Sequence, residues 1–253
     1  MIQEGLRHTG VPEAAAALPA LPPAASKVGS DSTEMSACQI PAEPGPSPGS
    51  LSSRMFTLTI NQTDSRRDGD RVPQLLKDLR HIPARLDFDR SVEDEVQGIV
   101  EFPHQAVEAA LIALRCGSWF VGIGVGPVNE PLPNQIRDAT GHGLIYARRA
   151  VDRLRNGKER VPVAVDGPFA DLAAEAEAVL KLLGHIVHDR SAAEWRVLDL
   201  LTPGVRGQQK AVAQELGITT QAVSKAVARA QWNEEHAARP AAARLLQLIL
   251  EVR

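Results

Sequence analysis

The order of apolar segments in the chain predicts an α+β fold, with a strand-rich domain first and an all-α module behind it. Three observations carry this. Short β-branched runs alternate with helical stretches between Phe56 and Val165, an Ala/Leu helix follows, and Gln209 to Trp232 reads as helix, tight glycine turn, helix. Ahead of these, residues 1–54 are rich in Ala, Pro, Ser and Gly, with almost no aromatic or β-branched residues. Such a segment buries too little surface to offset the entropy of ordering, so a disordered tail is expected. Met55 stands immediately before FTLTI. Either it is the biological start, or the tail is a genuine flexible arm.

Within residues 55–168 each element has its own signal. Phe56 to Asn61 alternates β-formers and reads as a strand. Val72 to Arg80 has helical spacing with Pro73 in its first turn. Leu86 to Arg90 and Val96 to Phe102 flank a short acidic turn as a hairpin. Gln105 to Arg115 is a helix and Trp119 to Val125 a strand. These six run β-α-β-β-α-β, the ferredoxin-like order, with both helices on one sheet face. Leu144 to Arg155 adds a helix and Val161 to Val165 a short strand. Residues 169–190 are expected to connect this domain to the all-α module at 191–253.

That module carries the sharpest local pattern. Val212, Ala213 and Leu216 form one apolar stripe on its first helix, and Gly217 stops that helix by adopting a left-handed conformation without a Cβ clash. Thr219 is the expected cap of the next helix, with Thr220 as the alternative. Ile218, Val223 and Val227 are expected to face inward. Thr219, Thr220, Gln221, Ser224, Lys225 and Arg229 are then the candidate contacts to base edges and phosphates. G-I-T-x-x-A-V-S at this spacing resembles the helix-turn-helix of bacterial transcriptional regulators and of sigma-factor-like DNA readers. The resemblance implies DNA as partner. From Ser191 onward eight Lys/Arg face six Asp/Glu, a modest net of +2, so affinity for phosphates calls for a homodimer.

Composition narrows the remaining classes. The 253 residues are 43% hydrophobic with a net charge of −3, and no apolar run approaches the length of a membrane span. The first 25 residues are broken by prolines and carry Glu4 and Glu13 rather than a signal-peptide pattern, so a cytoplasmic location is expected. Two cysteines make neither a disulfide framework nor a metal site, and Cys116 is expected as a small core residue. The seven histidines show no metal spacing.

The first domain holds three local patterns that its topology brings together: INQTDSRR at the end of the first strand, SVEDEVQG in the hairpin, and GIGVGPV followed by GHGLIYARRAV. Asp64, Asp94 and Glu95 are candidates for holding Mg²⁺, against the alternative of a solvated acidic turn. In TDSRRDGDR the helix start together with Arg66, Arg67 and Arg71 is a candidate phosphate receiver, against a solvated loop in which Asp68 and Asp70 offset the charge.

D-E-x-Q-G at Asp94 to Gly98, G-I-G-x-G at Gly122 to Gly126 and A-R-x-A at Ala147 to Ala150, in this order and with the helix-turn-helix behind them, resemble the SatD-like family. The resemblance spans 55–253. It implies a nucleotide-cyclase-like domain joined to a C-terminal helix-turn-helix. It also exposes departures. Asn61 stands where such a first strand ends in a metal-binding Asp, and Leu144 and Ile145 stand where cyclases place an Asn ahead of the transition-state Arg. Cyclase activity is therefore not expected, and a fold alone carries no activity. The expectation is a DNA-binding regulator whose first domain senses a ligand or pairs protomers. The expected ligand is a nucleotide or another phosphorylated molecule at Asp64, Arg66 and Arg148. The alternatives are an Mg²⁺-dependent enzyme acting on a nucleotide or phosphate substrate, and an adaptor that binds protein.

Overall fold

A computed structural model of the chain describes residues 52–63, 65–155, 157 and 159–252, with the backbone alone for Ser52, Ser65 and Arg66. Most of the predicted tail lies outside the described residues. Its last three positions do not belong to it: strand β1 runs Ser52–Gln62, and Ser52 to Arg54 pair with Asn129 to Pro127. Alternation marked only the apolar stretch from Phe56, because the earlier polar residues are held by backbone pairing rather than by burial.

Behind β1 come a four-residue helical turn α1 (Ser65–Asp68), helix α2 (Val72–Leu79), the hairpin strands β2 (Leu86–Val92) and β3 (Glu95–Val100), and helix α3 (Pro103–Cys116). Strand β4 (Trp119–Asn129), helix α4 (His142–Arg155), strand β5 (Val163–Asp166) and helix α5 (Ala170–His188) follow. The fold is α+β, and the five strands form one mixed sheet in the order β2-β3-β1-β4-β5. β1 is antiparallel to both β3 and β4, and β5 is parallel to β4.

Period-two alternation divides the sheet into two faces. Phe56, Leu58 and Ile60 of β1 join Val121 and Ile123 of β4 in the main core, beneath α2 and α3. The other face carries Thr57, Thr59 and Asn61 of β1, all buried, and is covered by α4. This helix seats directly on the sheet because β4 offers no side chain beneath it. A Cβ on Gly124 would collide with the Gly143 carbonyl oxygen, and one on Gly122 with that of Ala147. The G-I-G-x-G segment is thus a helix seat. Cys116 is exposed, contrary to expectation. It ends α3, and Gly117 behind it, at φ 68, turns the chain away with its N–H on the Leu114 oxygen.

β5 is an edge strand, yet its open side is occupied. The Val165 N–H donates to Glu177 of α5 at 3.0 Å, and Arg153 of α4 donates to the Val165 oxygen at 2.8 Å and to Glu177 at 3.0 Å. Two side chains stand in for a neighbouring strand.

The C-terminal part consists of α6 (Ala192–Leu198), α7 (Gln209–Leu216), α8 (Thr220–Arg229) and α9 (Trp232–Glu251). Ser191 and Glu194 close a reciprocal cap at the start of α6. The helix expected over 169–190 as a connector buries Ala176, Leu180 and Leu183 in the main core. The second half of α9 adds Ala242, Leu246 and Ile249 to the same core. A smaller cluster of Val197, Leu198, Val212, Ala213, Val223 and Val227 holds α6, α7 and α8.

Trp195 packs against both clusters. Around it Arg115 stacks at 3.9 Å while forming two 2.7 Å bonds to Asp199. Buried Arg190 lies 4.9 Å from the Trp195 ring, donates to the Ala230 oxygen and pairs with Glu235 at 3.3 Å. The two cores are therefore joined by a charged and aromatic junction. Among the described residues no helix is long and apolar enough to cross a membrane.

Candidate nucleic-acid interface

The α7 and α8 pair is built as its sequence dictates. Gly217 ends α7 at φ 64 with its N–H on the Ala213 and Gln214 oxygens, and the Thr219 side chain caps α8 by accepting from the Ala222 N–H at 3.1 Å. Val223 and Val227 face inward. Ile218 does not. It is 39% exposed, because its N–H closes the α7 end on the Ala213 oxygen at 3.0 Å and leaves its side chain at the rim of the turn.

Thr220, Gln221, Ser224, Lys225 and Arg229 are all exposed on α8; Gln221, Lys225 and Arg229 lie opposite the two valines, whereas Thr220 lies on the valine side and lines the same hollow as Val227. Thr219 is exposed too, with its oxygen engaged in the cap. No acidic residue lies on α8.

A second contribution escaped the sequence reading. The loop between α6 and α7 turns on Gly204 (φ 78) and Gly207 (φ 80). Gln208 holds it, accepting from the Thr202 N–H at 2.8 Å and donating to the Thr202 oxygen at 2.8 Å and the Val205 oxygen at 2.9 Å. The ordered loop displays Arg206 beside a hollow of about 770 Å³ that Lys210, Thr220 and Asn233 also line. The spacing Gly204-x-Arg206-Gly207 was the available signal. Between Thr202 and Ala230 the charges are Arg206, Lys210, Lys225 and Arg229 against Glu215 alone, so this surface is positive on a chain that is negative overall.

The candidate residues of the first domain are arranged otherwise. Asp64 lies outside the described residues, as does the side chain of Arg66. Of the three expected ligand contacts only Arg148 is described, and its guanidinium pairs with Glu95. The Glu95 carboxylate, 2% exposed, also accepts from Ser91 Oγ at 2.7 Å. Glu95 thus takes part in an ion pair across the sheet face, and the backbone carbonyl of the neighbouring Asp94 accepts from the Gln62 N–H. Among the described residues no three His, Cys, Asp or Glu side chains gather as metal ligands.

Asn61 sits opposite Glu95 in the β1–β3 register, buried, with neither amide atom hydrogen-bonded. Two charges of the TDSRRDGDR loop are tied to other parts of the fold: Arg71 donates to Ser118 Oγ at 2.6 Å, and Asp70 pairs with Arg90 at 2.6 Å. Of the three arginines proposed for phosphate, Arg71 is committed to the fold.

Compared with known proteins, the chain matches no family model, and no curated protein matches it.

Proposed function

We propose that the chain is a DNA-binding transcriptional regulator in which α7 and α8 form a helix-turn-helix and α8 enters the major groove. The observation that carries this reading is the exposed face of α8, with Gln221, Ser224, Lys225 and Arg229 standing over the inward Val223 and Val227. Gln221 and Ser224 offer hydrogen bonds to base edges, and Lys225 and Arg229 offer charge to phosphates. Arg206 and Lys210 extend the positive surface toward the backbone beside the groove. The strand order β2-β3-β1-β4 supports a ferredoxin-like, cyclase-like first domain with β5 added at its edge. Its role in this reading is to sense a ligand and pair two copies of the chain, so that two recognition helices meet two half-sites.

The test is a mobility-shift titration on genomic fragments across a range of salt. The wild-type chain should retard DNA with affinity falling as salt rises. Lys225→Ala should lower the slope of log affinity against log salt by about one. Gln221→Ala should relax base preference by about 1–3 kcal/mol. Absence of any retarded species, or both variants behaving as wild type, would sink the reading.

A further inference from the structure

A cavity of about 330 Å³ lies where the start of β1, the first turn of α4 and the end of α9 meet, a volume within the usual range of small-molecule sites, about 300–1,000 Å³. Its walls are mostly apolar and partly aromatic, with His142 beside Tyr146. Tyr146 lines one side, lying so close on Gly126 that a Cβ there would meet its ring at 3.0 Å. Phe169 lines another, and Ile249 and Leu250 of α9 line a third. At the rim stands Arg54, whose guanidinium donates to the Leu250 carbonyl. A guanidinium has five donors, so most remain available.

We propose that this cavity binds a small planar aromatic acid, its ring between Tyr146, Phe169 and the aliphatic end of α9, its single carboxylate on Arg54. Flat aromatic and branched aliphatic walls select a ring. A guanidinium with unused donors beside a largely apolar space selects one negative charge, and its planar fork matches a carboxylate. The site is separate from the Glu95–Arg148 pair and takes no phosphate-sized cluster of cations.

The position of the cavity gives occupancy a route to the reading surface. α9 supplies Ile249 and Leu250 to the cavity and, at its other end, Trp232 to the cluster that holds α8. Its cavity end is fitted closely to the sheet domain, since a Cβ on Gly167 would meet Ile249 at 2.8 Å. A ligand that moves this end moves the helix on which the reading module rests. The coupling rests on the DNA-binding reading; the binding site does not.

Calorimetric titration of the full chain with 2-naphthoate and with its uncharged isostere 2-naphthamide tests the site. The acid should bind about tenfold more tightly than the amide, the value of one charge-assisted contact. Arg54→Gln should level the two, Tyr146→Ala should remove binding of both, and Tyr146→Phe should restore it by returning the ring. Naphthoate that does not bind, or binds no better than naphthamide, overturns the site. In mobility shifts, naphthoate should change DNA affinity about fivefold or more in the wild type and leave Tyr146→Ala unaffected. Binding of naphthoate with DNA affinity unchanged overturns the coupling, whereas binding of naphthoate by a chain that retards no DNA overturns the regulator reading and keeps the site.

Discussion

Glu235 is fully buried among Arg190 at 3.3 Å, Arg239 at 2.5 Å and His236 at 3.0 Å. Burial by itself pushes its carboxyl upward; hydrogen bonds from His236 and Arg239, with their charges, outweigh that and hold it at about 2. A depressed carboxylate stabilises the fold fully above its unfolded value near 4.5 and loses that contribution as pH falls toward 2. The shift corresponds to about 3 kcal/mol. Glu235→Gln should therefore cost most at neutral pH and progressively less between pH 4.5 and pH 2, read by urea unfolding at several pH values. A cost independent of pH would contradict this. The spacing of Glu235 and Arg239 on one helix is legible in the sequence, but Arg190 lies 45 positions away and only the fold delivers it. Gly124 gives a second residue-scale expectation. Alanine there meets the α4 backbone, so Gly124→Ala should lower stability by about 3 kcal/mol or more, against a smaller loss for Gly126→Ala, which crowds the Tyr146 ring and touches the α4 backbone only at ordinary contact distance. Equal denaturant midpoints for the two variants would refute the seat.

At the scale of elements, hydrophobic periodicity located the strands and helices, while their ends followed contacts that leave no local trace. β1 begins at Ser52 because β4 continues to Asn129, and α9 begins at Trp232 although Pro240 lies within it. A sequence reading stops at such a proline, whose missing N–H breaks the ladder. Here the helix persists because its second half is buried in the main core, while Trp232 and Ala238 of the first half pack against the two cores. A chain truncated to start at Met55 loses three β1–β4 pairs and the Arg54 bond to Leu250. It should melt several degrees below one that starts at Leu51, an interval that corresponds to about 1 kcal/mol in a domain of this size; identical melting curves would show that these pairs contribute nothing. The occupied edge of β5 yields a further test. Glu177→Ala leaves the Val165 N–H without its acceptor and removes one carboxylate from Arg153 and Lys181, which keep the Val165 oxygen and Glu159 respectively. Beyond a loss of about 1–3 kcal/mol, the opened edge should recruit other strands, visible as concentration-dependent sedimentation. A strictly unchanged sedimentation profile would show that the two side chains are not what guards this edge.

For the molecule as a whole, the sequence divides at residue 190, whereas packing does not. α5 and the second half of α9 belong to the sheet core, and Trp195 touches both clusters. Trp195→Ala should separate one calorimetric unfolding transition into two, the α6–α8 cluster melting first; a single lowered transition would mean that Arg190 and Arg115 suffice to join the cores. The exposed face of α8 was largely legible because helix periodicity is local: with Val223 and Val227 inward, Gln221, Ser224, Lys225 and Arg229 are left outward. The cavity was illegible because Arg54 and Leu250 stand 196 positions apart. These two places share a shaft. α9 rises for roughly 30 Å at about 1.5 Å per residue, and Gln231, in the left-handed region at φ 48, makes the sharp corner where α8 meets it. A shaft amplifies. If its far end tilts by about 5°, the corner travels roughly 2–3 Å, enough to carry a donor on α8 out of hydrogen-bonding range of an acceptor. In a regulator of the proposed kind, a displacement smaller than one atom's width at Ile249 would thereby be scaled to the difference between a groove read and a groove missed.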